Sequence, residues 1–319
     1  MYYRTKVPAD ALKQLHVRND LQGWARCFGH AFILLILGGC FVVASNNGWL
    51  LLAAVLLAVY GVVFSFLSWV GASHELQHNT VFQSKALNQC WLQVFAFLSW
   101  ANPVYFTRAH ATHHSHTLDS HLDEEVRTNV CSRIANLVLS STIDIRRFWR
   151  TLRMQVLNAR GIVPGQTEGR IFSDAEVDGR RRLANAARRL LVGQAALLVL
   201  FLASGFWQGV FLVTLGPFIA NGFANMLATA QHCGMKHNTL DYRESTRTIL
   251  LSPFLSFLYW NMNYHVEHHM YPGVPCYNLP KLHELIAYDV APPARGLRGA
   301  LKVIRKDNRS RAVGDCSLN

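Results

Sequence analysis

Two long blocks without any charged residue dominate the pattern of hydrophobic and polar positions. No Lys, Arg, Asp or Glu lies between positions 27 and 74, or between positions 190 and 235. A helix needs about 20 apolar residues to cross a bilayer, and only helices satisfy their own backbone in lipid across such tight connections. The pattern therefore predicts an all-α integral membrane protein with four transmembrane helices in two hairpins, at about 28–45, 49–71, 187–204 and 206–226.

Two further apolar stretches, 90–103 and 249–260, are too short to cross. At 1.5 Å per residue the longer one extends about 21 Å, whereas the hydrocarbon core is about 30 Å thick. We interpret both as interfacial or re-entrant helices. Their tryptophans, Trp91, Trp100 and Trp260, suit the headgroup zone.

The distribution of charge predicts the orientation. The chain carries a net charge of +12, and all 31 Lys and Arg residues lie outside the two charge-free blocks. The positive-inside rule then places both termini and the long middle segment on the cytoplasmic side. With 51% hydrophobic and 16% charged residues, the composition excludes a disordered chain, a coiled coil and an ordinary cytosolic enzyme.

This topology divides the chain into a cytoplasmic segment (1–27), a membrane domain (28–291) whose cytoplasmic helices form a cap, and a basic, mobile C-terminal tail (292–319). The first apolar block is unlike a signal peptide, because its polar leader is long and a second span follows at once. Seven cysteines form no CxxC pair. They are interpreted as reduced packing thiols, not as a disulfide framework or a thiolate metal site.

Basic residues flank the apolar blocks, which favours a membrane surface over a nucleic acid as the partner of this positive charge. The densest cluster comprises Arg180, Arg181, Arg182, Arg188 and Arg189. It fits a juxtamembrane anchor on anionic lipid, and it also fits a docking site for an acidic electron-transfer protein.

The histidines cluster where apolar segments end. The sequences HELQH (74–78), HATHH (110–114) and HVEHH (265–269) each place their histidines on one helix face, because residues at i, i+3 and i+4 are neighbours there. A single histidine follows the fourth predicted span; alone it fits either a satisfied interfacial residue or a ligand. The candidate ligands are His74, His78, His110, His113, His114, His232, His265, His268 and His269.

Nine neutral imidazoles are too many for one metal ion, since zinc takes four ligands. Two metals with four or five nitrogens each is the natural count, and imidazole suits Fe, Cu, Zn and Ni alike. Glu75 and Glu267 lie inside the histidine motifs but off the ligand face, and Asp123 follows the second motif. We expect these carboxylates to hydrogen-bond neighbouring imidazoles.

Two other classes of metalloprotein share part of this pattern. HELQH matches the HExxH motif of zinc proteases, with Glu75 as the base. Such a protease needs one more ligand, and six of the nine histidines would remain unexplained. A membrane metal transporter would place its ligands within the spans near the midplane. Here the histidines lie beyond the ends of the spans, which favours an enzyme.

The three histidine motifs resemble those of the membrane fatty acid desaturase and hydroxylase superfamily. That superfamily carries H-x3/4-H, H-x2/3-HH and (H/Q)-x2/3-HH, in this order, at the cytoplasmic ends of four spans. The surrounding sequences HELQHNTVF and LYWNMNYHVEHHMYP also look like this family. The resemblance extends from about residue 30 to residue 285.

The resemblance implies two non-haem irons, O2 as co-substrate and a separate electron donor of ferredoxin, rubredoxin or cytochrome b5 type. By analogy with stearoyl-CoA desaturases, one iron takes His74, His110, His114 and His268, and the other takes His78, His113, His232, His265 and His269. The first motif has three intervening residues where stearoyl-CoA desaturases have four. The third motif begins with His instead of Gln, which speaks against front-end desaturases fused to cytochrome b5. These departures leave the substrate open.

The leading functional hypothesis is an O2-dependent desaturase of a fatty-acyl chain carried by a lipid or an acyl carrier. Hydroxylation of an acyl chain, an alkane or another lipophilic molecule is the alternative within the same type of site. The two outcomes differ in how the carbon is positioned against the oxidant, which no motif records.

Overall fold

The computed structural model describes residues 2–123, 125, 134–163, 171–172 and 177–316, and this part of the chain is mainly helical. A two-stranded parallel sheet joins β1 (Ile249–Leu250) to β2 (Ala294–Arg295). One-turn helices of other types lie at Val210–Thr214 (π), Gly216–Phe218 and Cys276–Asn278 (both 3₁₀). The α-helices are α1 (Ala9–Leu15), α2 (Asp20–Asn46), α3 (Leu50–Ser65), α4 (Ala72–Gln77), α5 (Lys85–Leu98), α6 (Pro103–Ser115), α7 (Ile134–Ser140), α8 (Ile145–Ala159), α9 (Val177–Ala203), α10 (Gly222–His232), α11 (Tyr242–Ser245), α12 (Pro253–Leu258), α13 (His265–Met270), α14 (Leu279–Ile286) and α15 (Gly296–Cys316).

Two helices within the described residues, α2 and α9, are long and apolar enough to cross a membrane, with 27 residues each. They contain the first and third predicted spans. The apolar helix α3 is shorter, with 16 residues, and pairs with α2 as a hairpin. Gly48 permits the tight connection because its φ of +71° is a left-handed conformation that most side chains avoid.

The second predicted span, 49–71, does not continue as a helix to its end. Helix α3 stops at Ser65, and a tight turn leads into α4, with the backbone N–H of Ala72 donating to the carbonyl of Phe66 at 2.8 Å. A Cβ atom on Gly71 would lie 2.3 Å from that carbonyl oxygen, so only glycine fits the turn. The turn leads directly into α4, which carries the first histidine motif.

The fourth predicted span, 206–226, is broken in the middle. Gly216 and Pro217 interrupt it because proline lacks an N–H and cannot continue an α-helical ladder. A neighbouring loop satisfies the freed backbone groups: the N–H of Ala220 donates to Thr142, and the N–H of Asp144 donates to Phe218, each at 2.8 Å. Irregular backbone is tolerated within an apolar segment when protein groups take up its hydrogen bonds in this way.

The predicted interfacial segments form α5 and α12, but two of their tryptophans do not face a headgroup layer. Trp100 is 5% exposed and donates its indole N–H to the carbonyl of Thr214 at 2.9 Å. Trp260 is fully buried, with its indole nitrogen 3.3 Å from His30 Nδ1. The position of these side chains is therefore set by hydrogen bonds inside the protein.

The C-terminal segment contains more structure than the expectation of a mobile tail implies. Helix α15 packs on α10 and on β1, with Ala300 and Ile304 fully buried. The expectation for the cysteines is wrong at one position, since Cys233 is disulfide-bonded. The other described cysteines that the structure assigns, Cys27, Cys40, Cys90 and Cys276, are free thiols.

Candidate metal centre

The nine predicted ligands meet in one region as two groups. They come from four places in the chain: α4 and the residue that follows it, the C-terminal half of α6, the end of α10, and α13. Within each group the potential ligand atoms all lie within 4.8 Å of one another. The five-histidine group is His74, His78, His110, His114 and His268, and the four-histidine group is His113, His232, His265 and His269.

Within each group the imidazoles face one another through their Nε2 atoms. In the five-histidine group, Nε2 of His268 is 2.9 Å from that of His74 and 3.1 Å from that of His114. In the four-histidine group, Nε2 of His265 is 2.8 Å from that of His232 and 3.2 Å from that of His269. Each group therefore concentrates nitrogen lone pairs in a small volume.

His78 lies with a different group from the one that the analogy with stearoyl-CoA desaturases implies. Its Nε2 atom is 3.0 Å from that of His110, and its ring centroid is 4.8 Å from that of His268. Both of these neighbours belong to the five-histidine group. The other eight ligands divide between the groups as the analogy implies.

The opposite ring nitrogen, Nδ1, is held by protein acceptors at several ligands. His74 and His232 donate from Nδ1 to the carbonyls of Trp69 and Ser245, each at 3.0 Å. A carbonyl can only accept, so the proton of these rings sits on Nδ1 and the lone pair remains on Nε2. The backbone thus selects the tautomer that a metal requires.

Carboxylates hold two ligands of the second histidine motif. Asp123 lies 2.8 Å from Nδ1 of His113 through Oδ2, as the sequence predicts, and the same oxygen accepts the N–H of Leu118. Glu125 contacts Nδ1 of His110 at 2.7 Å. Both carboxylates therefore orient α6 imidazoles from the side away from the facing nitrogens.

The two glutamates inside the motifs differ in their contacts. Glu75 Oε1 lies 3.2 Å from Nδ1 of His268, at ion-pair distance, behind the ring and away from its Nε2 atom. Glu267 instead contacts Nδ1 of His283 and the hydroxyl of Thr248, both at 2.5 Å. Glu75 therefore lies beside an imidazole of the five-histidine group without forming the expected hydrogen bond, whereas the imidazole that Glu267 holds is outside both groups.

Burial favours the neutral form of eight of the nine histidines. It lowers the pKa of His78, His232 and His268 to about 3. Burial also opposes the charged form of His113, but the nearby carboxylates of Asp123 and Glu125 outweigh it and raise the pKa of that imidazole. Burial lowers the pKa of His74, His110, His114, His265 and His269 well below the usual value.

These residues fit two transition-metal ions. Neutral imidazoles are good ligands, and facing lone pairs on Nε2 atoms repel one another unless a cation or a shared proton lies between them. The Nδ1 atoms of His114, His265 and His268 have no hydrogen-bond partner among the described residues, yet their rings still face the groups through Nε2. The ligand type admits iron and does not by itself exclude copper, zinc or nickel.

Comparison with known proteins identifies the family. The family model described as fatty acid desaturase matches residues 46–297 of this chain. That match covers well over half of the sequence and all nine histidines of the two groups. The chain belongs to the fatty acid desaturase family.

Curated relatives in this family are sphingolipid enzymes. The chain is 25% identical over 237 residues to a sphingolipid delta(4)-desaturase DES1-like protein of Arabidopsis thaliana, covering 72% of this chain and 62% of the relative. It is 25% identical to the sphingolipid delta(4)-desaturase/C4-monooxygenase DES2 of Homo sapiens, covering 67% of this chain and 60% of that protein. These alignments span about 60% of the length of each relative.

Some groups that hold the ligands of this desaturase-family chain were not predicted from the sequence. Glu125 lies eleven residues after the second motif, and nothing in the local pattern marks it. The hydroxyl of Thr117 lies 3.2 Å from Nδ1 of His269 and donates to the carbonyl of His113. A small polar residue three positions after HATHH is a weak signal, and only the fold shows what it contacts.

Proposed function

We propose that this protein is an O2-dependent di-iron desaturase that introduces a double bond into a lipid chain. The observation that carries the proposal is the meeting of nine imidazoles, seven buried and two partly exposed, in two groups, in a member of the fatty acid desaturase family. The five-histidine group and the four-histidine group would each hold one iron. Zinc protease chemistry would leave one whole group without a role.

A sphingolipid or a related long-chain lipid is the proposed substrate. The relatives from Arabidopsis thaliana and Homo sapiens are named for sphingolipid delta(4)-desaturation. Identity near 25% supports a lipid chain as the class of substrate more strongly than it supports one bond position. The chain length, the carbon attacked and the acyl carrier are therefore left to experiment.

The protein's own residues prepare the site for this reaction. When bound, the two irons supply the O2-dependent removal of hydrogen from an unactivated C–H bond. Carbonyls and carboxylates behind the rings fix the Nδ1–H tautomer, so that Nε2 atoms face the metal positions. The ligand rings are mostly buried, which excludes bulk water from the reacting volume.

In the proposed membrane arrangement, four apolar segments cross the bilayer as two hairpins. Both termini, the metal centre and the cap of short helices then lie on the cytoplasmic side. A separate donor of ferredoxin, rubredoxin or cytochrome b5 type would deliver electrons there. The basic cluster Arg180–Arg182 of α9 is either a lipid anchor or part of the surface that this donor uses.

Hydroxylation is the second candidate function. The human relative is named both a desaturase and a C4-monooxygenase, so one site of this type carries both activities in that protein. The nine ligands are compatible with either outcome, because the difference rests on the position of the substrate carbon.

Lipid profiling by mass spectrometry tests the proposal. Cells that supply a donor system would express the wild-type chain, a His268→Ala variant, or a His237→Ala variant as the control, since His237 is outside both groups. We expect a new unsaturated lipid with the wild type and the control but not with His268→Ala. Hydroxylated lipid in the same two samples would favour the second candidate, and equal product in all three samples would contradict both.

A further inference from the structure

An N-terminal strap, residues 2–5, crosses the protein next to the metal centre. The backbone N–H of Tyr3 donates to the carbonyl of Leu240 at 2.8 Å, in a parallel bridge beside Asp241. Thr5 is completely buried, and its backbone carbonyl accepts the hydroxyl of Tyr271 at 2.5 Å. The strap is therefore attached to the fold at both of its ends.

Side chains of the strap also form a network of polar contacts with the fold. The hydroxyls of Tyr3 and Thr5 both donate to Oδ2 of Asp289 at 2.7 Å. Arg243 joins Oδ1 of the same carboxylate at 2.6 Å and places its guanidinium 3.8 Å from the ring centroid of Tyr3. A second carboxylate, Asp241, pairs with Arg243 at 2.7 Å.

Two stacked tyrosines connect the strap to the histidines. The ring of Tyr2 stacks on that of Tyr242, with centroids 4.4 Å apart and planes 10° apart. Tyr242 donates its hydroxyl to the carbonyl of His114 at 2.7 Å, and its ring centroid lies 5.3 Å from that of His269. Tyr242 thus contacts a ligand residue of each group.

The hydrogen bond from Tyr242 to the carbonyl of His114 lies at the C-terminal end of α6. His114 is in the last turn and His116 is the C-cap, and the backbone carbonyls of a last turn have no partner within the helix. The ring of His114 has no hydrogen-bond partner at Nδ1 among the described residues. Its position therefore depends on its backbone, which the Tyr242 hydroxyl holds from the side of the strap.

We propose that Tyr242 is a positioning residue for the metal centre, and that the strap holds it in place through Tyr2. This inference rests on the proposed di-iron function. Without the Tyr242 hydroxyl, the end of α6 moves more freely, and the imidazole of His114 binds its metal ion less tightly. Loss of the Tyr2 ring removes the stacking contact that holds Tyr242. Tyr242 then moves more freely, and the end of α6 with it.

Iron retention tests the proposal in the full-length protein. The protein would be purified with Fe²⁺, and the release of iron to a coloured chelator would be followed in time. Tyr242→Phe keeps the ring and removes the bond to His114. Its matched control is Tyr60→Phe, because the Tyr60 hydroxyl also donates to a backbone carbonyl, that of Leu212, at 2.8 Å, and is similarly buried but in the hairpin region.

We expect Tyr242→Phe to release one of two irons about 10-fold faster than the wild type, in line with the effect of other groups that support metal ligands. Tyr60→Phe should change the melting temperature but not the rate of release. Tyr2→Ala should release iron faster than the wild type, and Tyr2→Phe, which keeps the stacked ring, should restore retention.

The outcomes separate the two proposals. A wild-type protein that binds no iron overturns the proposed function. A wild type that binds two irons, with Tyr242→Phe and Tyr60→Phe releasing them at the same rate, overturns only the positioning role. Iron release at the same rate from Tyr2→Ala and Tyr2→Phe would show that the strap does not hold Tyr242 in place.

Discussion

The two histidine groups are built from the same residue type but are not held equally. All four rings of the four-histidine group are buried, whereas His78 and His114 of the five-histidine group are partly exposed. In the four-histidine group, three Nδ1 atoms contact Asp123, Ser245 and Thr117. The two metal positions should therefore differ in how tightly they hold an ion and in how readily small molecules reach them.

The strongest test of this difference between the two groups is to remove one histidine from each group. His265 faces both His232 and His269, so His265→Ala should leave no detectable product and no iron in the four-histidine group. His78 lies at the exposed side of its group, so His78→Ala should retain iron in the four-histidine group and a measurable product. Iron content per chain and lipid analysis would be measured for both variants. The same losses in both would show that the groups are equivalent.

Removing a carboxylate behind a ligand should have the next largest effect. Asp123→Asn removes the negative charge behind Nδ1 of His113 and should weaken iron binding about 10- to 100-fold at the four-histidine group. Glu125→Gln should act on His110 and weaken the five-histidine group instead. Titration with a chelator, with spectra that distinguish the two irons, would check which iron each variant loses. Loss of the same iron from both variants would contradict the assignment of the two groups.

Acid should destabilise the metal-free protein. The folded-state pKa values of His78, His232 and His268, about 3, lie below the usual value near 6.5. Between these limits the unfolded chain binds more protons, so each such histidine lowers the free energy of unfolding by about 1.4 kcal/mol per pH unit as the pH falls below 6.5.

Two carboxyl groups oppose this trend, because burial raises the pKa of Glu75 and Glu125 to about 7. Protonation of these groups stabilises the folded state as the pH falls below 7, but the histidines with lowered pKa values outnumber them. Melting temperatures of the metal-free protein should thus be lower at pH 5.5 than at pH 7.5. Equal values at the two pH values would show that the buried rings do not control the stability of the empty site.

The smallest effect is expected at Glu267. Its carboxylate contacts His283 and Thr248, not a ligand ring. Glu267→Gln should lower the free energy of unfolding by about 1–3 kcal/mol, because buried hydrogen bonds are impaired, and should leave two irons per chain. Thermal unfolding and iron analysis would be compared, and a loss of iron would place Glu267 among the groups that hold the metal centre.

The sequence was sufficient to predict which histidines meet, because their spacing reflects helical geometry. His110, His113 and His114 lie on one face of α6, as the i, i+3, i+4 rule requires. The pairing of His78 with His110 could not be predicted, since it depends on how α4 packs against α6. The same applies to Glu125 and Tyr242, whose partners are brought close by the path of the chain between helices.

Some of the long apolar helices could be predicted from the sequence, whereas the interruption of one apolar segment was missed. Composition alone was enough for α2 and α9, whose long apolar stretches match the thickness of a bilayer. Hydropathy does not register the interruption at Gly216 and Pro217, because both residues are compatible with an apolar window. Proline is a strong signal against a continuous helix, but the prediction of a span over 206–226 followed the hydropathy pattern and did not use Pro217.

That break has a consequence for how the protein is made. A straight apolar helix enters a bilayer with its backbone already satisfied, and it can pack against other helices later. Two of the backbone hydrogen bonds around Pro217 join it instead to Thr142 and Asp144, in the loop between α7 and α8. We therefore expect the segment to reach its final placement during biosynthesis only after that loop has folded against it.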